Sequence, residues 1–219
     1  MVFGDQIWRA RLENALGIVK VRSHTRSVLF PPSEFSSILS PRAVAMMAGV
    51  KSKYPVMRMG ALVTDFMRGR GGRSLRVSGE MIRNSKCMLI KPDDVHPYSG
   101  VVLKRALKSD SEWQMGYYVA EGCMIYCRAK PNDRRYFVCK ANTPHPVVCS
   151  SDFFVFRPCV TKIRSDYLAL ALSIPWLDHQ FSTLLAGRRT GKLMASDFIK
   201  LLIPVPPIAE QDRIVKQFR

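Results

Sequence analysis

The sequence has little acid and no long apolar run. Its 219 residues carry 17 Asp and Glu against 34 Lys and Arg, a formal charge of +17, and a surface that positive attracts polyanions over roughly a Debye length. Nucleic acid is therefore the first partner to expect. No segment approaches the ~18 uninterrupted apolar residues of a membrane span. The N-terminal "MVFGDQIWRARLENALG" has an acid and scattered arginines where a signal peptide would be apolar. No membrane is expected, and the cytoplasm is the expected compartment. An acidic membrane surface would want its charge on one amphipathic helix, whereas here it is spread over several segments.

Metal and redox signatures are missing too. None of Cys87, Cys123, Cys127, Cys139, Cys149 and Cys159 forms a C-x-x-C pair, the spacing of zinc ribbons and redox motifs. "EGCMIYCR" alternates like a strand and puts Cys123, Ile125 and Cys127 on one face, which suits reduced, buried thiols. His96 and His145 each precede a proline and suggest turns rather than ligands.

Catalytic patterns fail on their spacing. "AGRRTGKL" has three residues between Gly187 and Gly191 where a phosphate-binding loop has four, and Leu193 follows Lys192 where Ser or Thr belongs. "FPPSEF" has Phe30 and Ser33 around its prolines, so neither flank suits an amino-methyltransferase motif. "KPDDVH" supplies Asp93 and Asp94, but the next acid with suitable spacing, Glu112, has Gln114 after it where a metal-dependent nuclease needs lysine. With no Ser or Cys nucleophile set beside a histidine, the chain reads as non-catalytic, with no bound cofactor and no metal.

What is present is enough for a sizeable core: 47% of the residues are hydrophobic. Residues 1–53 read as a helical lead segment or linker, with "SPRAVAMMAG" bounded by Ser40, Pro41 and Gly49. From Tyr54 the texture becomes strand-like in "YPVMRMGALV", "KCMLIKP", "GCMIYCR", "RYFVCK" and "PVVCSSDFFVFRP". "SDYLALALSIPWLDHQFSTLLAG" then reads as helix, with Ser165 as N-cap, Pro175 as a kink or restart, and Leu168, Leu172, Leu177, Phe181 and Leu184 as a core stripe. The expected class is α+β, a mainly antiparallel sheet with packed helices.

Three basic segments are candidate DNA contacts. "MRGRGGRSLR" sets Arg68, Arg70, Arg73 and Arg76 among glycines with no acid between them; glycine allows close backbone approach, and arginine presents a planar fork to phosphate or to guanine. "RAKPNDRRYFVCK" carries Arg128, Lys130, Arg134, Arg135 and Lys140 around a Pro-Asn-Asp turn. Arg188, Arg189 and Lys192 form the third. The first two also fit solvated hairpin tips, and the third a basic helix end that complements the helix dipole.

The C-terminal run "GRRTGKLMASDFIKLLIPVPPIAEQDRIV" resembles the end of a target recognition domain from the DNA specificity (S) subunit of Type I restriction-modification systems. Gly187 with Arg188 and Lys192 stands for that family's glycine-basic turn, Leu202 to Pro207 for its proline-ended strand, and Glu210-Gln211 for the opening of its spacer helix. Upstream, "YPVMRMGALVTDFMRG" is similar to the opening strand and turn, departing at Met59-Gly60-Ala61, and "VAEGCMIYCR" to a mid-domain segment, departing at Gly122-Cys123. "VVCSSDFFVFRP" followed by "DYLALAL" keeps the family order. The resemblance covers 54–219.

It implies a lead segment at 1–53, a target recognition domain at 54–206 and the start of a spacer helix at 207–219. That helix would present Ile208, Glu210, Gln211, Ile214, Val215 and Phe218 to a partner and continue past Arg219. It further implies sequence-specific binding of double-stranded DNA at one half-site, for restriction, DNA methylation and phage defence. The implied partners are methyltransferase (M) subunits, a restriction (R) subunit, and a second recognition domain or homodimer partner. Those subunits would use S-adenosylmethionine, ATP and Mg. The same residues also suit the C-terminal recognition domain of a single-chain adenine DNA methyltransferase, and the charge alone would suit an RNA-binding protein.

Overall fold

Alternation in "CMIYC" sends Ile125 and Cys127 to one side of a strand and Met124 and Tyr126 to the other, and all four are buried. A strand buried on both faces lies in the middle of a layered fold. The computed structural model describes residues 11, 15, 19–20, 50–67, 74–84, 87–97, 100, 102, 114–141, 143, 145–174, 176–185 and 191–218. In chain order these form β1 (Val19–Lys20), β2 (Val50–Lys51), β3 (Val56–Arg58), α1 (Met59–Leu62), β4 (Val63–Thr64), β5 (Arg76–Ser78), α2 (Gly79–Arg83), β6 (Met88–Ile90) and β7 (Met115–Val119). There follow β8 (Met124–Cys127), β9 (Tyr136–Val138), β10 (Val147–Cys149), β11 (Phe153–Pro158), α3 (Ser165–Ala171), α4 (Trp176–Leu185), α5 (Ala195–Phe198), β12 (Leu202–Pro204) and α6 (Ile208–Gln217).

Two four-stranded sheets stack face to face. The first runs β4-β11-β8-β9, all antiparallel, and the second β5-β7-β10-β6, antiparallel except for the parallel pair β10–β6. Ile125, Cys127, Phe153 and Val155 of the first sheet meet Met88, Ile90, Val119, Val147 and Cys149 of the second. The opposite face of β8 and β11, carrying Met124, Tyr126, Phe154 and Phe156, packs on the helices through Leu168, Leu172, Leu177, Phe181 and Phe198. The outer face of the second sheet is covered at Leu89 and Val148 by Ile82 of α2. The class is α+β, with antiparallel sheets and packed helices.

Most expected strands are found, and β5 and β7 are additional. β7 escapes a pattern reading because its Met115 and Tyr118 are exposed large hydrophobics, so apolar alternation fails along it. The expected helix from Ser165 is two helices, with Arg164 rather than Ser165 in the N-cap position. Its stripe is nonetheless core: Leu168, Leu172, Leu177 and Phe181 are fully buried and Leu184 packs against them. The lead segment is not wholly helical, because β1 pairs antiparallel with β2 across about thirty residues, a distant pairing that local periodicity cannot register. The helix expected from Ser40 lies outside the described residues.

The C-terminal helix differs most from expectation. Its stripe of Ile214, Val215 and Phe218 is buried in the domain's own core, and Gln211 has no exposed surface. Gln211 takes the backbone N–H of Arg164 at 2.8 Å and donates to the carbonyls of Lys162 at 3.0 Å and Pro206 at 2.8 Å. Ile208 is half-buried, and Glu210 accepts from Tyr54 Oη at 2.7 Å. The expectation of a partner-facing stripe is thereby corrected: a ten-residue helix is marginal alone and stabilises itself on the nearest apolar surface, here its own domain. A second buried glutamine, Gln180, donates to the Leu202 carbonyl at 3.0 Å and accepts from its N–H at 2.8 Å, closing the edge of β12 that β3 leaves open.

Gln211→Leu keeps the volume but strands three backbone groups, so urea denaturation should show a loss of about 2–4 kcal/mol. Glu210 behaves differently with pH. Bonds from Arg213 and then Tyr54 lower its carboxyl from 4.5 to about 2. Its contribution to stability is therefore complete above the unfolded value and is lost as pH falls through the folded one. Glu210→Gln should flatten the dependence of the urea midpoint on pH between 4.5 and 2.

Candidate nucleic-acid interface

Two basic segments that lie far apart in sequence meet at the end of β8. Ala129 and Lys192 form an antiparallel bridge, and the Leu193 N–H donates to the Arg128 carbonyl at 2.9 Å. On the other side the Arg128 N–H donates to the Asp152 carbonyl at 2.8 Å. Arg128 is thus pinned between the turn before β11 and the strand-like run before α5. This seam sets Lys130 and Lys192, both exposed, one residue out of register with each other. Lys192 Nζ donates to Asp152 Oδ1 at 2.9 Å. The Arg128 guanidinium lies over the Phe154 ring at 5.4 Å and donates to Met194 Sδ at 3.7 Å.

The adjoining basic run is anchored nearby. Met67, the residue before 68–73, donates its N–H to the Val155 carbonyl at 2.7 Å, next to the ring that carries Arg128. Asp65 and Met67 hold φ of 53° and 54°, a left-handed backbone that costs a non-glycine residue roughly 1–2 kcal/mol. Phe66 between them reaches Phe154 at 5.5 Å and Phe198 at 5.8 Å between ring centroids, and this packing holds the turn. Arg68, Arg70, Arg73, Arg188 and Arg189 themselves lie outside the described residues. Arg76 is exposed on β5, an edge strand of the other sheet.

Arg134, expected as a DNA contact, is corrected: its side chain is 0% exposed. It is ion-paired to Asp178 of α4, donates to the Pro131 carbonyl at 2.8 Å, and sits 4.5 Å over the Phe181 ring. Tyr126 Oη donates to the same carbonyl at 3.0 Å. The turn at Pro131–Asp133 is bracketed by left-handed Lys130 and Arg134, so Arg134 works inward, tying that turn to the helix layer. Arg135 is mostly engaged as well, donating to the carbonyls of Pro92 at 2.9 Å and Val95 at 2.7 Å and pairing with Asp133. Sequence shows two adjacent arginines on a turn, and only the fold distinguishes one facing a helix from one facing a loop.

The acids and thiols have structural surroundings. Asp94 accepts the Lys91 N–H at 2.9 Å as a cap of the turn at Pro92–Asp94. No cluster of His, Cys, Asp and Glu able to hold a metal occurs among the described residues. All six cysteines are free, and five are buried. Burial pushes the Cys127 thiol up to about 11 and raises those of Cys123 and Cys149, away from the thiolate that nucleophilic chemistry needs. No helix among the described residues is long and apolar enough to cross a membrane.

No family model matches the chain, and no curated protein matches it. Solved structures do. A chain from work on complex assembly and conformational transition of the type I R-M system matches 76% of this chain and 42% of its own length, at a TM-score of 0.59 and 17% identity. The HsdS subunit from Thermoanaerobacter tengcongensis matches 95% of this chain and 41% of its own, at 0.50 and 13%. The class so defined is an α+β fold of the HsdS-like kind. The chain spans less than half the length of either structure.

Asp178→Ala should lower the stability of the fold. It leaves the buried Arg134 charge unpaired, and because Asp178 is 43% exposed the loss should be about 2–3 kcal/mol in urea melts rather than the larger cost of a fully buried pair.

Proposed function

We propose that this chain reads one half of a bipartite double-stranded DNA site for a Type I restriction-modification complex. It contributes no chemistry of its own. Methyltransferase and restriction subunits, using S-adenosylmethionine, ATP and Mg, modify or cut the DNA that it positions. The observation that carries the reading is the fold likeness over 76% of the chain to a chain of a type I R-M system. The charge of +17 says what such a domain would hold.

Binding on this reading divides into two tasks. Exposed lysines and the arginines of 68–73 and 188–189 set the domain on phosphates, while fewer, better-held side chains read base edges. The seam of Ala129 and Lys192 supports the reading because it collects basic residues from two segments beside the exit to a third. On this reading α6 is the helix that partners meet, with exposed Asp212, Arg213 and Lys216 as the face available to them.

Replacing Arg68, Arg70 and Arg73 together by alanine should weaken duplex binding and reduce the slope of log affinity against log salt by up to roughly 3, since each phosphate contact contributes about 0.9. Fluorescence anisotropy over a salt series measures both. An unchanged slope would remove this loop from the interface, and methylome sequencing of a host carrying the complete system would report the half-site.

A further inference from the structure

Four arginines among the described residues are partly or fully withdrawn from solvent: Arg128, Arg134, Arg135 and Arg157. Three have a carboxylate, Arg134 with Asp178, Arg135 with Asp133 and Arg157 with Asp65. Arg128 has none among the described residues. Its Nε is buried without a hydrogen-bond partner, and its terminal nitrogen reaches only the Met194 sulfur, a weak acceptor. Asp152, whose backbone carbonyl accepts the Arg128 N–H, has its Oδ1 engaged by Lys192. Arg128 is partly exposed, with its Nε buried, so its guanidinium retains donors within reach of a ligand that no carboxylate among the described residues uses.

The group is also held still. Backbone bonds to Asp152 and Leu193 clamp Arg128 from both sides, and its guanidinium lies over Phe154 at 5.4 Å, a ring of the aromatic core. Exposed Lys130 and Lys192 flank it, and Met194 places an exposed apolar side chain beside it. Flexible lysines suit phosphates, which are point-like acceptors and are found on every sequence. A fixed planar fork beside an apolar surface suits a fixed pair of acceptors on a base edge, as guanine presents with O6 and N7 in the major groove.

We propose that Arg128 is a specificity-determining residue that reads a guanine, while Lys130 holds an adjoining phosphate. This rests on the proposed function and names a base-reading group within it.

The test is selection of duplexes from a library with a randomised segment, using the full chain, its Arg128→Lys variant and its Lys130→Ala variant, with thermal melting to show that each is folded. Arg128→Lys keeps the charge and loses the fork, so preference for guanine at one position should fall roughly 10-fold to 100-fold with little change in salt slope. The Lys130→Ala variant should keep the preference, bind all duplexes more weakly and lower the slope by roughly 1. An unaltered preference in Arg128→Lys, or a loss spread evenly over all sequences, overturns the assignment and leaves the DNA-binding reading standing. A parent chain that binds duplexes without any preference overturns base reading by Arg128, and one that binds no duplex overturns both readings.

Discussion

The pairing of β8 with β11, buried on both faces, is the constraint on which the rest of the structure depends. Neither strand has a solvent side, so each alternate residue must find its own layer: Tyr126, Phe154 and Phe156 under the helices, and Ile125, Phe153 and Val155 against the second sheet. A one-residue slip would exchange the two sets, placing Tyr126, Phe154 and Phe156 where the sheets meet and Ile125, Phe153 and Val155 beneath the helices. Four neighbouring pairs of residues hold this register. Each fully buried aromatic adds roughly 1.5–3 kcal/mol to it.

The basic face inherits its rigidity from that pair. Arg128 is the first residue after β8 and Asp152 the last before β11, so the hydrogen bond between their backbones continues the ladder to the edge of the core. The run before α5 docks on the same end, and Phe154 is both a core ring and the platform beneath Arg128. Charged residues on a free loop would adjust to any polyanion. Fixed to the end of a doubly buried strand pair, they can favour one arrangement of acceptors over others.

Much of this was legible from residue order. The alternation of "EGCMIYCR" foretold that Cys123, Ile125 and Cys127 share a face, and they share one core cluster. The stripe from Leu168 to Phe181 foretold helices on a core. Orientation was less legible. Arg134 and Arg135 look alike in sequence, yet one is sealed beneath α4 and the other reaches the turn at Pro92–Asp94. The apolar stripe of α6 announced that it needed a surface, and periodicity could not say that the surface was its own domain. Arg128 stood in a basic segment without distinction, since only the fold shows that no carboxylate among the described residues pairs with it and that Lys192 engages Asp152 beside it.

By itself, then, the sequence determined the class of fold, the positive field and the absence of recognised catalytic spacing, because composition and short periods act locally and are visible one residue after another. Tertiary structure alone decided which charges face solvent, which face the core, and which basic segments stand side by side. Those outcomes depend on pairings between distant residues, Ala129 with Lys192 and Gln211 with Lys162 and Arg164 among them. No local pattern encodes such a pairing, because its free energy comes from a partner that only the folded chain brings within reach.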